Sequence, residues 1–171
     1  MGLTRHEDEL SEGILDDTRL WHLRNRLLEA IEQSSKNSGW IEIENPATAE
    51  AIVSIYGNSW NRKILNICIR QPHTIMEILR FAQTPQTTGY RRIISLVKGN
   101  FLFGYNTVRR THGKTITRYL ATFKAIEFQI SENKELIRVK LQDNLYKKDQ
   151  VRDRLLFHTE PVHKLQKGLT V

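Results

Sequence analysis

Cysteine is almost missing from this chain of 171 residues: Cys68 stands alone. That excludes an intrachain disulfide and a cysteine-rich zinc site. Its setting, ILNICI, is aliphatic, so a buried small hydrophobe is expected there rather than a reactive thiol. No apolar run approaches the ~20 residues that cross a bilayer. The opening MGLTRHEDEL is acidic, unlike a signal peptide, and His6 stands where a myristoylation signal carries Ser or Thr. These absences lead to the expectation of a cytoplasmic protein with no membrane partner.

Acidic residues are scarce in one part of the chain and crowded in another. Residues 1–59 hold 5 Lys and Arg against 11 Asp and Glu, whereas residues 60–148 hold 17 against 5. Between Ala51 and Ile126 the only acid is Glu77, beside twelve basic side chains. A solvated surface ordinarily mixes both signs, so this imbalance points to a polyanionic partner, nucleic acid before all others.

What the chain does contain is ordered. Residues 1–15 are polar and acidic. Leu20, Leu23, Leu27, Leu28 and Ile31 then recur at helical spacing behind the start signals Asp16, Asp17 and Thr18. This amphipathic helix is expected either to pack on its own domain or to form a dimer outside the basic part of the chain. Trp40, Ile41 and Ile43 suggest a short strand, and Asn45-Pro46 an N-cap followed by a first-turn proline. In SWNRKILNICIRQ, Trp60, Ile64, Ile67 and Cys68 share a face. Thr74 and Glu77 have capping-box spacing for TIMEILRF. Pro85 opens a further helix to Lys98, its inward side carrying Gly89, Ile93, Leu96 and Val97, with Gly99-Asn100 as a left-handed stop. FLFGYNTVRR, THGK and TITRYLATFKAIEFQI then read as one hairpin, and SENK turns into the strand ELIRVKL.

The segment RKILNICIRQPHTIMEILRFAQTPQTTGYRRIISLVKGNFL resembles winged helix-turn-helix transcriptional regulators of the ArsR-like type, archaeal and bacterial, and YLATFKAIEFQISENKELIRVKL resembles the extra strands of the archaeal ones. The likeness spans residues 58–141. It implies an α+β, helix-rich fold: a winged helix-turn-helix with a β-hairpin wing and an extra C-terminal strand, preceded by the amphipathic helix. The expected division is an acidic segment 1–44, a DNA-binding domain 45–141 and a basic C-terminal helix or tail 142–171. Two departures stand out. Gln83 occupies the turn where relatives carry glycine, and a left-handed residue there costs about 1 kcal/mol. Gly89 replaces a buried aliphatic and is expected to loosen its helix.

The resemblance implies sequence-specific binding of double-stranded DNA by a transcriptional regulator, a homodimer on two half-sites, in the cytoplasm at the nucleoid. The recognition helix, 85–98, would enter the major groove. Gln86 suits adenine, Arg91 suits guanine, and Thr87 suits a thymine methyl or cytosine. Thr84, Thr88, Tyr90, Arg92 and Lys98 are the candidates for phosphate contact. The wing, 109–114, would bring Arg109, Arg110, His112 and Lys114 to the flanking minor groove or backbone. The alternative is a winged-helix protein-interaction or RNA-associated module without sequence-specific DNA binding.

No enzymatic activity and no cofactor are expected. A Gly-rich phosphate loop and a G-x-S-x-G elbow are both missing from the sequence. His158, Glu160 and His163 in HTEPVH have i,i+5 histidines interrupted by Pro161, unlike H-E-x-x-H, and read as a solvated tail. A metal-dependent nuclease needs carboxylates near its basic surface, whereas the acids here concentrate in the first 50 residues.

Overall fold

The computed structural model describes residues 17–34, 39–110, 113–132 and 134–145. They form an α+β structure of five α-helices and two antiparallel three-stranded sheets. The helices are α1 (Asp17–Ser34), α2 (Pro46–Gly57), α3 (Ser59–Arg70), α4 (Ile75–Ala82) and α5 (Gln86–Lys98). The strands are β1 (Trp40–Glu42), β2 (His73–Thr74), β3 (Leu102–Arg109), β4 (Thr115–Ala121), β5 (Phe123–Ser131) and β6 (Lys134–Leu141). The helix expected around DQVRDRLLF lies outside the described residues.

Side-chain caps begin three of the helices. Asn45 accepts from Thr48 N at 3.0 Å to start α2, and Arg26 Nη1 donates to the same oxygen, tying α1 to that cap. Asn58 starts α3 by accepting from Trp60 N and Asn61 N, both at 3.1 Å. Thr74 and Glu77 make the full capping box of α4. Glu77 accepts from Thr74 N at 2.8 Å and from its hydroxyl at 3.0 Å, and these bonds hold the Glu77 carboxyl below the usual carboxylate range. The lowered pKa makes the box stabilising above about pH 4.3, and the contribution is lost as pH falls through the folded-state value. Thr74→Ala should cost about 1 kcal/mol near neutral pH, with a smaller deficit under strong acid; urea melts at both pH values check it.

One core draws on all five helices and on every described strand but β2. Leu23, Leu27 and Leu28 of α1 are buried with Ile52 and Ile55 of α2, Ile64, Leu65 and Cys68 of α3, Ile78 of α4 and Ile93 and Leu96 of α5. The leucine stripe of α1 is therefore consumed within its own chain, each side chain contributing roughly 1.5–3 kcal/mol of burial. Cys68 is fully buried, and burial pushes its thiol up to about 12, which leaves it inert at physiological pH. Phe101, Phe103 and Phe123 are buried in the same core, with Phe101 and Phe123 edge-to-face at 5.9 Å.

The strand expected from Thr115 through Ile130 is broken in two. Sheet order is β2-β4-β3 on one side and β1-β6-β5 on the other, so β4 and β5 belong to different sheets. The change happens at Thr122, whose N–H donates to Phe101 O, whose C=O accepts from Gln142 N, and whose hydroxyl donates to Asn100 O. The strand ELIRVKL is not a lone addition either. As β6 it lies between β5 and β1, with Ile41 opposite Val139 and Phe128 opposite Ile137.

Candidate nucleic-acid interface

The site is built where α4 hands over to α5. Gln83 takes the left-handed conformation at φ 54°, ψ 39° and closes α4, its N–H reaching Arg80 O and that of Thr84 reaching Leu79 O. The sharp reversal leaves Pro85 to open α5, with no side-chain cap. Gly89 packs inward at the first turn. A Cβ on it would collide with Leu79 Cδ2 and Thr84 Oγ1. Glycine here lets α4, its turn and α5 approach closely, a packing role that helix propensity does not weigh.

The buried side of α5 carries Gly89, Arg92, Ile93, Ser95, Leu96 and Val97. Thr87 and Arg91, four residues apart, are exposed away from that side, Gln86 is exposed as the first residue of the helix, and Thr88 is half-buried. All three candidates for base contact are thus accessible together. Most of the candidates for phosphate contact are not. Arg92 is fully buried, its Nη1 donating to Asn58 Oδ1 at 3.1 Å and Asn61 Oδ1 at 3.2 Å, and desolvation lowers its pKa. It is an internal strut between α5 and the start of α3, out of reach of a phosphate. The hydroxyls of Tyr90 and Thr84 are shut off from solvent with no hydrogen-bond partner among the described residues, and burial raises the Tyr90 pKa. Neither hydroxyl is placed to meet an external phosphate. Lys98, at the far end of α5, is engaged by Asp17 of α1 at 2.7 Å. A surface pair like this contributes ~0–1 kcal/mol, so it occupies the ammonium more than it stabilises the fold.

The β3–β4 hairpin carries the remaining cations. Arg109, Arg110 and Lys114 are exposed, and Gly113 at φ 75° closes the tip, its N–H donating to Arg110 O at 2.9 Å. His112 lies outside the described residues. The two-residue strand β2 pairs with β4, His73 opposite Tyr119 and Thr74 opposite Arg118, which fastens the hairpin to the start of α4. Arg118 reinforces the join by donating to Pro72 O at 3.1 and 2.7 Å. That strand has no sequence signature, because two residues carry no periodicity. Exposed Arg80 also goes unmarked in the sequence. This cation lies in the last turn of α4, 4.9 Å from the Phe81 ring centroid, and its only signal is its place before the turn.

Glu77 is the sole acid in residues 51–126, and its carboxylate is held by the capping box. No cluster of three or more metal-ligating side chains occurs among the described residues, and His158, Glu160 and His163 lie outside them. No described helix is long and apolar enough to cross a membrane. Comparison with protein-family models, curated proteins and solved structures found no match.

Proposed function

We propose that this protein binds double-stranded DNA as a winged helix-turn-helix regulator, with α5 in the major groove and the β3–β4 hairpin as wing. The observation that carries the reading is the exposure of Gln86, Thr87 and Arg91 together within the first two turns of α5. The order α3–β2–α4–α5–β3–β4, with β2 added to the hairpin, supports it. So does the scarcity of acids, which lets the exposed cations displace counterions from phosphates. Amino-terminal residues of a groove helix reach base edges, and Arg and Gln offer the bidentate donors and acceptors that discriminate guanine and adenine. The hairpin cations supply sequence-independent grip.

Selection of binding sites from random duplex DNA tests the reading. An enriched half-site is the expected result. Weak binding without an enriched motif would favour the alternative, an interaction module. On a selected site, replacing Arg109, Arg110 and Lys114 together by Ala should weaken all sequences alike. For every phosphate no longer neutralised, the slope of log K against log salt should flatten by about 0.9. An unchanged slope would remove the wing from the interface.

A further inference from the structure

The edge of the second sheet carries a feature that the nucleic-acid reading does not use. In the order β1-β6-β5, the outer side of β5 has no neighbouring strand among the described residues. Natural edge strands are ordinarily short, bulged, or interrupted by Lys or Pro, because a free row of N–H and C=O groups invites another strand. Here the one irregularity sits at the beginning, between Phe123 and Ala125. From Ile126 to Ser131 the edge is regular and Glu127 is its only charge. Ile126, Phe128 and Ile130 lie on the same face, opposite Val139, Ile137 and Glu135 of β6. Val139 and Ile137 are buried, but Phe128 is 47% exposed and Ile130 80% exposed. The apolar face of the core thus runs outward along an open edge.

We propose that this edge is a self-association surface, at which β5 of a second copy pairs antiparallel to make a continuous six-stranded sheet. The strand is complementary to itself about Phe128. In that register the two Phe128 side chains meet, each Ile126 faces the Ile130 of the other copy, and each Glu127 faces a Gln129. Ala125 and Ser131 come opposite each other at both ends. A register centred on Glu127 would set two carboxylates face to face, which is destabilising. One centred on Gln129 would put Ile126 opposite Glu132. Of these three, the Phe128 register alone matches all the apolar residues with apolar partners, and the partner chemistry it selects is this same strand. The pairing is independent of nucleic acid, because it uses neither α5 nor the β3–β4 hairpin.

A strand pair of this length buries less than the roughly 800 Å² per partner of a standard interface, so a reversible, concentration-dependent dimer is expected. Sedimentation equilibrium of the full chain without nucleic acid, across a concentration series and at high salt, should show mass rising from 20.0 kDa towards twice that value. Ile130→Lys and Phe128→Lys should hold it at the monomer mass while retaining the far-ultraviolet dichroism of the parent, since both sites are exposed. Cysteine trapping reads the register. Phe128→Cys meets itself across the two-fold axis and should form an intermolecular disulfide under mild oxidation, whereas Gln129→Cys is offset and should not. A monomer at every concentration, a dimer indifferent to both lysines, or equal trapping at 128 and 129 would overturn the proposal. A chain that dimerises in this register yet selects no DNA site supports it and refutes the DNA reading alone.

Discussion

Arg91→Ala is expected to leave the unfolding midpoint unchanged and to cost about 1–3 kcal/mol of DNA binding at the base pair it reads, relaxing specificity there. Its neighbour should behave the opposite way. Arg92→Ala is expected to cost about 3 kcal/mol of stability, through removal of hydrogen bonds from a charged donor and the cavity left by a fully buried side chain. The difference follows from position on α5: Arg91 is exposed, while Arg92 reaches Asn58 and Asn61 inside the fold. Arg92→Met should fall between parent and Ala, since it refills volume and removes a desolvated charge but donates nothing. Urea titration and binding to a selected duplex separate the two effects. Equal stability losses at 91 and 92, or a specificity change from Arg92→Met in a fully folded protein, would refute the division of roles.

Gly89→Ala has an expected effect whose sign is the test. Helix propensity alone assigns the change a gain of about 1 kcal/mol. The packing assigns it a loss of about 1–3 kcal/mol, because the added methyl must displace Leu79 and Thr84. Leu79 is buried and has little room to swing. The displacement would also tilt the start of α5, so DNA affinity should fall with stability. Thr84→Ala in the same chain removes one of the two obstacles and should recover part of both losses, a coupling that a double-mutant cycle measures. A stabilised Gly89→Ala protein would show that Leu79 and Thr84 yield to the methyl at no net cost.

The contrast between these residues explains what the sequence could disclose. Caps are local chemistry, so Asn45-Pro46 and the Thr74–Glu77 spacing were legible from a few adjacent residues. The inward side of α5 was legible from helical periodicity. Arg92 was not, because arginine in a basic stretch reads as surface, and its partners lie 31 and 34 residues earlier in the chain. Gly89 read as a propensity defect because the atoms that exclude a side chain belong to another helix and a turn. Tyr90 and Thr84 were misjudged for the same reason: the Tyr90 hydroxyl is covered by tertiary packing, and the Thr84 N–H offered to a phosphate is spent on Leu79 O. The division of the long strand at Thr122 also lacks a local mark, since no Gly or Pro stands there. It is set by pairings with Phe101 and Gln142.

That division has a mechanical consequence. Thr122 is a single-residue bend shared by both sheets, and its three hydrogen bonds leave no slack between them. Load applied at the hairpin tip passes along β4 through Thr122 into β5, without a loop to absorb it. The two sheets are therefore expected to open together, so that a ligand held at the hairpin would be backed by the stability of the entire fold.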